Sequence, residues 1–207
     1  MNSTPPIPIA ISARHVHLTQ EHVEALFGEE HQLQPKVELS QPGQFVAEQR
    51  VTLVGPKRSI ERVAVIGPTR ARTQVEISRT DEFHLGLDAP IRCSGDTDGT
   101  PGITLEGPAG RVTVTEGVIQ AQRHLHMTSA DAERYGVRHK EVVEVAIDSE
   151  GRDLIFGDVV VRVKDSYRLE MHLDTDEGNA AELGRGDSGV LVTTEACVTL
   201  RPRNASS

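Results

Sequence analysis

The chain carries one uncommon hexapeptide twice, and the copies lie far enough apart to imply two halves. Arg14-His15-Val16-His17-Leu18-Thr19 returns as Arg123-His124-Leu125-His126-Met127-Thr128. The likeness runs on beyond the histidines, RHVHLTQEHVEALFG against RHLHMTSADAERYGV, so His15 recurs as His124, 109 positions later. An internal repeat of this kind restricts the fold to a duplicated unit. Each copy follows an apolar run, Ile7–Ile11 or Gly117–Ala121. Read as the ends of strands, residues i and i+2 share a face, so each histidine pair points together. After each pair, Thr19 or Thr128 is placed to cap a short helix, with Glu21 and Glu24, or Asp131 and Glu133, as acids in its first turns.

Converging neutral imidazoles are the usual start of a transition-metal site. A single His-x-His is more often a pair of ordinary histidines, but two in the same local context favour metal. A catalytic zinc needs three protein ligands with a fourth position open, so further donors are required. Two strands supply candidates. In Thr73–Ser78, Glu76 shares a face with Gln74 and Ser78, opposite Val75 and Ile77. In Arg168–Leu173, His172 faces away from Leu169, Met171 and Leu173. Arg70, Arg72 and Arg79 flank the Glu76 strand, and Arg70 follows a Gly-Pro turn, a setting suited to holding a guanidinium fork against phosphate oxygens.

The rest of the chain reads as short strands punctuated by 18 glycines and 11 prolines. Hairpin-like units are expected at 51–68 and 103–119, with a short helix over Thr80–Leu87 stopped at Gly86. Strands are expected at Glu141–Ile147, Val159–Val163 and Gly189–Thr193, and a helix at Glu177–Glu182. Residues 1–6 and 201–207 read as frayed ends. Valine, isoleucine and leucine dominate a chain with no tryptophan, which favours strands. Many short strands with few helices indicate a mainly β, barrel-type architecture.

Composition also excludes partners. A net charge of −9 argues against a general nucleic-acid binder. No apolar run reaches membrane-spanning length, and no secretory signal is present. Cys93 and Cys197 stand alone, which fits a reducing cytosol.

The motifs ISARHVHL, LSQPGQFVAEQRVTLVGPK, GPTRARTQVEISRTDEFHLG, SGDTDGTPGITLEGP, QRHLHMT and LEMHLDTDEGNAA together resemble those of the PduL-type phosphotransacylases. These are the phosphate propanoyltransferases of bacterial microcompartment and propanediol-degrading metabolism, and the resemblance covers residues 7–195. It implies reversible transfer of a propanoyl or acetyl group between coenzyme A and phosphate. It implies two zinc ions per chain, one on His15, His17 and Glu76, the other on His124, His126 and His172. Arg70 matches the arginine that contacts phosphate, Ser94 falls in the loop near the substrate, and Ser12 and Asn179 match positions near coenzyme A. The implied fold is two β-barrels capped by short helices with the dimetal site between them, one from 5–13 plus 122–195 and the other from 14–121. A homodimer is implied as well, and for targeted members a microcompartment shell as partner. Only MNSTPP precedes Ile7, too short and proline-rich for the helical extension of targeted members. The expectation is therefore a bacterial cytoplasmic enzyme outside the shell.

Direct attack by the coenzyme A sulfur needs no acylated side chain, and Cys93 beside Ser94 reads as a small apolar filler rather than a nucleophile. Two rival readings remain. One is a dinuclear metal-dependent hydrolase, although amidohydrolase-type barrels need about eight βα units and ~250 residues. The other is a non-catalytic metal-binding or assembly protein.

Overall fold

The glycine- and proline-rich turns cut the chain into short β-branched stretches. In the computed structural model, which describes residues 5–193, these form fifteen strands and four short helices among the described residues. Residues 1–4 and 194–207 lie outside the described residues. They hold Cys197, parts of the expected frayed ends and the last two positions of the expected first barrel.

The order begins β1 (Ile7–Ser12), β2 (His15–His17), α1 (Gln20–Phe27) and β3 (Pro35–Glu38). The first hairpin follows, β4 (Phe45–Val54) and β5 (Ser59–Gly67), then β6 (Gln74–Glu76), α2 (Arg79–Leu85) and β7 (Ile91–Arg92). The second hairpin is β8 (Ile103–Glu106) and β9 (Arg111–Val114), leading to β10 (Val118–Ala121), β11 (His124–Met127) and α3 (Ser129–Tyr135). The chain closes with β12 (Val142–Ile147), β13 (Leu154–Val163), β14 (Glu170–Asp174), α4 (Thr175–Ala180) and β15 (Ser188–Val192).

Local chemistry sets the helix ends. Thr19 and Thr128 cap α1 and α3, their side chains accepting from the backbone N–H of His22 and Asp131. Gly86 and Gly136 end α2 and α3 in the left-handed conformation, at φ 78° and 68°, where a side chain would be strained. The last helix starts earlier than expected because Asp174 and Glu177 form a reciprocal capping box around its first turn. Likewise β13 extends back to Leu154, since Leu154–Phe156 pair with β12.

The strands form two sheets. One closes as a six-stranded barrel in the order β1-β14-β11-β13-β12-β15. The other holds nine strands, β7-β10-β6-β2-β5-β4-β8-β9 with β3 paired to β4, and is an open half-barrel rather than a second closed one. Each has its own apolar core. Val16, Leu53, Val65, Val75 and Leu105 pack in the half-barrel, and Leu125, Met127, Val159, Val161 and Met171 in the barrel, all fully buried. Each such side chain stabilises by roughly 1.5–3 kcal/mol relative to exposure.

The apolar run and the His-x-His motif that follows it are two strands rather than the single strand expected. The chain breaks at 13–14 and again at 122–123, and at each break it changes sheet. The physical reason is reciprocal pairing. β6 lies between β2 and β10, while β14 lies between β11 and β1, so each repeat lends its first strand to the other half.

This exchange makes the two halves superimposable in register. His15 pairs with Glu76 as His124 pairs with His172, and Ile119 pairs with Glu76 as Ala10 pairs with His172. His15 also stands opposite Ala64 as His124 stands opposite Val160. Glu76 and His172, 96 positions apart, are therefore equivalent residues in a duplicated fold.

Candidate metal centre

Period-two alternation decides where the donors point. In β2, Val16 enters the half-barrel core, so His15 and His17 take the other face, and Val75 does the same for Glu76 in β6. In β11 and β14, Leu125 and Met171 enter the barrel core and leave His124, His126 and His172 on the outer face. Candidate ligands from both sheets line one cavity of about 410 Å³, together with Ser12, Arg70 and Ser94.

The donors fall into two groups, His15-His17-Glu76 and His124-His126-His172, each with ligand atoms within 4.8 Å of one another. Backbone carbonyls fix the ring orientations. His15 Nδ1 lies 2.9 Å from the carbonyl of Ala13, and His124 Nδ1 lies 2.8 Å from that of Gln122. A carbonyl can only accept, so Nδ1 carries the proton and Nε2 presents its lone pair. His17 Nδ1 is held in the same way by the carbonyl of Ile66, at 3.3 Å.

His15 Nε2 and His17 Nε2 then face each other at 3.2 Å, with Glu76 carboxylate oxygens 3.5 and 3.7 Å away. Converging lone pairs with a buried carboxylate repel unless a cation joins them. In the second group, His126 Nδ1 and His172 Nε2 are buried and make no hydrogen bond, although His172 Nε2 lies 2.9 Å from Glu170 Oε2. Buried polar atoms are normally satisfied, so the orphaned His126 Nδ1 beside two further imidazoles fits a metal-binding role. The donor chemistry of both groups suits a divalent transition metal.

The protonation states agree. Burial, aided by neighbouring charges, lowers the pKa of His17 and His124 to about 4 and that of His126 to about 2. These rings stay neutral at pH 7, as ligation requires. For His15 burial opposes the charge, but the Glu76 carboxylate outweighs it and raises the pKa. Burial likewise opposes charge on Glu76, yet His15 and His17 hold its pKa well below the ordinary carboxylate value. The two groups therefore differ in charge, one with a carboxylate and one without.

Supporting contacts position the donors. Gln74 Nε2 donates to Glu76 Oε1 at 2.6 Å and to Ser94 Oγ at 2.9 Å. Ser94 Oγ donates to Glu76 Oε1 at 3.0 Å and accepts from Arg70 Nη1 at 3.2 Å. Arg14, which precedes the first histidine pair, forms a two-pronged ion pair with Asp81 of α2, at 2.7 and 2.8 Å. Its repeat counterpart Arg123 pairs with Glu177 of α4 at 2.5 Å. Asp81 and Glu177 are both the third-position acids of their helices' capping boxes. Each His-x-His is thus tied to the helix that follows the third donor of its own group.

The remaining sequence candidates are distributed unevenly. Ser12, at the end of β1, and Ser94 line the cavity. Asn179, on α4, is exposed and is not among the residues lining the cavity. It follows Gly178, which packs against Ile11 of β1 so closely that a Cβ would approach Ile11 Cδ1 to 2.7 Å. Arg72 is solvent-exposed and pairs with Asp98, and Arg79 pairs with Glu82. Cys93 is exposed, with its thiol 3.4 Å from Gln122 Oε1, and lies outside the cavity lining. Among the cavity residues that the sequence reading did not single out are Arg162 of β13 and Tyr167. Tyr167 rests against the His126 ring at 4.2 Å between centroids. The only signal for Arg162 is its strand register opposite His126, which a linear sequence does not display.

Comparison with known proteins shows the family. The family model described as phosphate propanoyltransferase matches residues 8–184. A phosphate propanoyltransferase of Thermotoga maritima is 54% identical over 192 residues, covering 93% of this chain and 91% of the relative. Proteins of the same name from Citrobacter freundii and Salmonella typhimurium are 52% and 51% identical over 176 residues, each covering 85% of this chain and 83% of the relative. The chain belongs to the phosphate propanoyltransferase family of acyltransferase enzymes.

Proposed function

We propose that the protein is a zinc-dependent phosphate acyltransferase that moves a propanoyl or acetyl group between coenzyme A and phosphate (acyl-CoA + phosphate = acyl phosphate + CoA). The observation that carries this reading is the pair of three-donor groups meeting in one cavity with Arg70. The donors, five imidazoles and one carboxylate, suit two zinc ions. Bound zinc would supply Lewis acidity towards a carbonyl or phosphoryl oxygen and favour the ionised thiol.

The chain's own residues do the rest. Arg70 holds the phosphate and offsets the charge that grows on it as the acyl bond breaks. Ser94, bonded to both Arg70 and Glu76, fixes the guanidinium relative to the first donor group. With both substrates bound, the coenzyme A sulfur attacks the acyl carbonyl; the C–S bond forms as the C–O bond to phosphate breaks. The thiol proton is lost to solvent, and phosphate departs as the anion held by Arg70. Coenzyme A runs from the cavity past Ser12 towards exposed Asn179.

Each sheet with its own core supports a division into two domains, 5–13 with 122–195 and 14–121. The enzyme acts as a cytoplasmic homodimer. No helix among the described residues is long and apolar enough to cross a membrane.

The test supplies coenzyme A and propanoyl phosphate to the purified protein and follows thioester and phosphate together. Equal yields of the two support transfer, whereas phosphate release without coenzyme A would support the hydrolase alternative. Cys93→Ala is expected to keep activity within about twofold of the parent, because the thiol lies outside the cavity lining. An acyl group trapped on Cys93 would contradict direct transfer.

A further inference from the structure

Arg162 has no place in the scheme above, yet it stands in the same cavity. On β13 its neighbours Val159 and Val161 are fully buried in the barrel core. Arg162 therefore takes the opposite face, in register with His126. It is half-buried, and no hydrogen-bond or ion-pair partner is found for it among the described residues. Its charge is felt by Arg70, His124 and His126, in each case disfavouring their positive forms.

The nearby carboxylates are engaged elsewhere. Glu76 is held by Gln74, Ser94 and the two histidines. Glu170 is held by Ser40 and Gln41. Among the described residues, Arg70 has no carboxylate within ion-pair distance, and its side chain hydrogen-bonds to neutral Ser94 alone. One cavity thus holds two guanidinium groups without carboxylate partners, Arg70 from the half-barrel and Arg162 from the barrel. Charges withdrawn from water are retained where something pairs them, and planar guanidinium forks match the oxygens of a phosphate dianion.

We infer that Arg162 is the second arm of an anion clamp, closing with Arg70 on the phosphate group that is transferred. The inference rests on the proposed acyl transfer and assigns the charge recognition within it. Phosphate could also come from coenzyme A itself. In that molecule the whole pantetheine arm separates the thiol from the nearest phosphate, whereas Arg162 sits beside His126 among the metal donors. The clamp also joins the two sheets, so phosphate binding bridges barrel and half-barrel.

The experiment compares the metal-loaded parent, Arg162→Gln and Arg162→Lys by calorimetry with inorganic phosphate and by steady-state kinetics. Loss of a charge-assisted pair should weaken phosphate binding by roughly 10- to 100-fold in Arg162→Gln. KM for phosphate should rise in parallel, KM for coenzyme A should stay within about twofold, and Arg162→Lys should recover part of the loss. Unchanged phosphate affinity would overturn the inference. So would a rise confined to KM for coenzyme A, which would assign the charge to the cofactor's own phosphates. Calorimetry needs no turnover, so a parent that binds phosphate through Arg162 but forms no thioester would sink the proposed reaction and leave the clamp standing.

Discussion

At the scale of single residues, the carbonyls of Ala13 and Gln122 set the chemistry of the first histidine in each pair. By holding Nδ1–H they aim Nε2 at the neighbouring donors. Glu76 and His172 occupy equivalent positions, and as the proposed third donors they should respond alike to substitution. Glu76→Gln and His172→Ala are each expected to lower bound metal from two ions per chain to about one, measured by elemental analysis after dialysis, with the double variant near zero. Loss of both metals from either single change would contradict two separable groups. Stability of the metal-free protein should also depend on pH. His17, His124 and His126 have folded pKa values depressed below 6.5 by burial. As pH falls through 6.5 towards about 4, the unfolded chain binds protons that the folded chain refuses, so stability falls. His15 works the other way: its raised pKa contributes stability that is fully present below 6.5 and lost as pH rises through the folded value. Three groups outweigh one, and the urea midpoint of chelated protein should drop between pH 7 and pH 5. A flat or rising midpoint would contradict burial as the cause.

Among elements, the recurring device is a strand tied to a helix. Arg14 joins the start of β2 to α2 through Asp81, and Arg123 joins the start of β11 to α4 through Glu177. Arg14 is 42% exposed at its side chain while Asp81 is 5% exposed, so solvent screens part of the attraction. A double-mutant cycle on Arg14→Ala and Asp81→Asn should give a coupling of about 1 kcal/mol, read from denaturation midpoints. Asp81→Ala alone should cost more, about 1–3 kcal/mol, because it also removes the acid of the capping box. Zero coupling would leave the pair without an energetic role. Much at this scale is written locally and was legible: threonine caps, the Gly86 stop, both hairpins, and the faces of Glu76 and His172. The breaks at 13–14 and 122–123 were not, because a change of sheet is decided by which distant strand offers a partner. Arg162 was hidden for the same reason. In a run of valines it looks like an ordinary outward residue until β13 is seen opposite His126.

For the whole molecule, the duplication explains why there are two donor groups and why they meet. Each half lends a strand to the other sheet, so the crossovers at 13–14 and 122–123 bring both histidine pairs to the junction of barrel and half-barrel. The repeat, strand alternation and family resemblance had singled out the six candidate donors, Arg70 and Ser94, and the structure brings all eight to one cavity. The open second sheet and the paired helix anchors were not legible, since closure and ion pairing depend on packing across the fold. On the proposed function, equivalent positions of a duplicated chain build two adjoining zinc sites on which acyl transfer depends. The most direct test is a zinc titration of chelated protein, following bound metal and thioester formation from coenzyme A and propanoyl phosphate. Two zinc ions should bind per chain, with full turnover only as the second is filled. Turnover unaffected by chelation, or restored in full without zinc, would contradict that dependence.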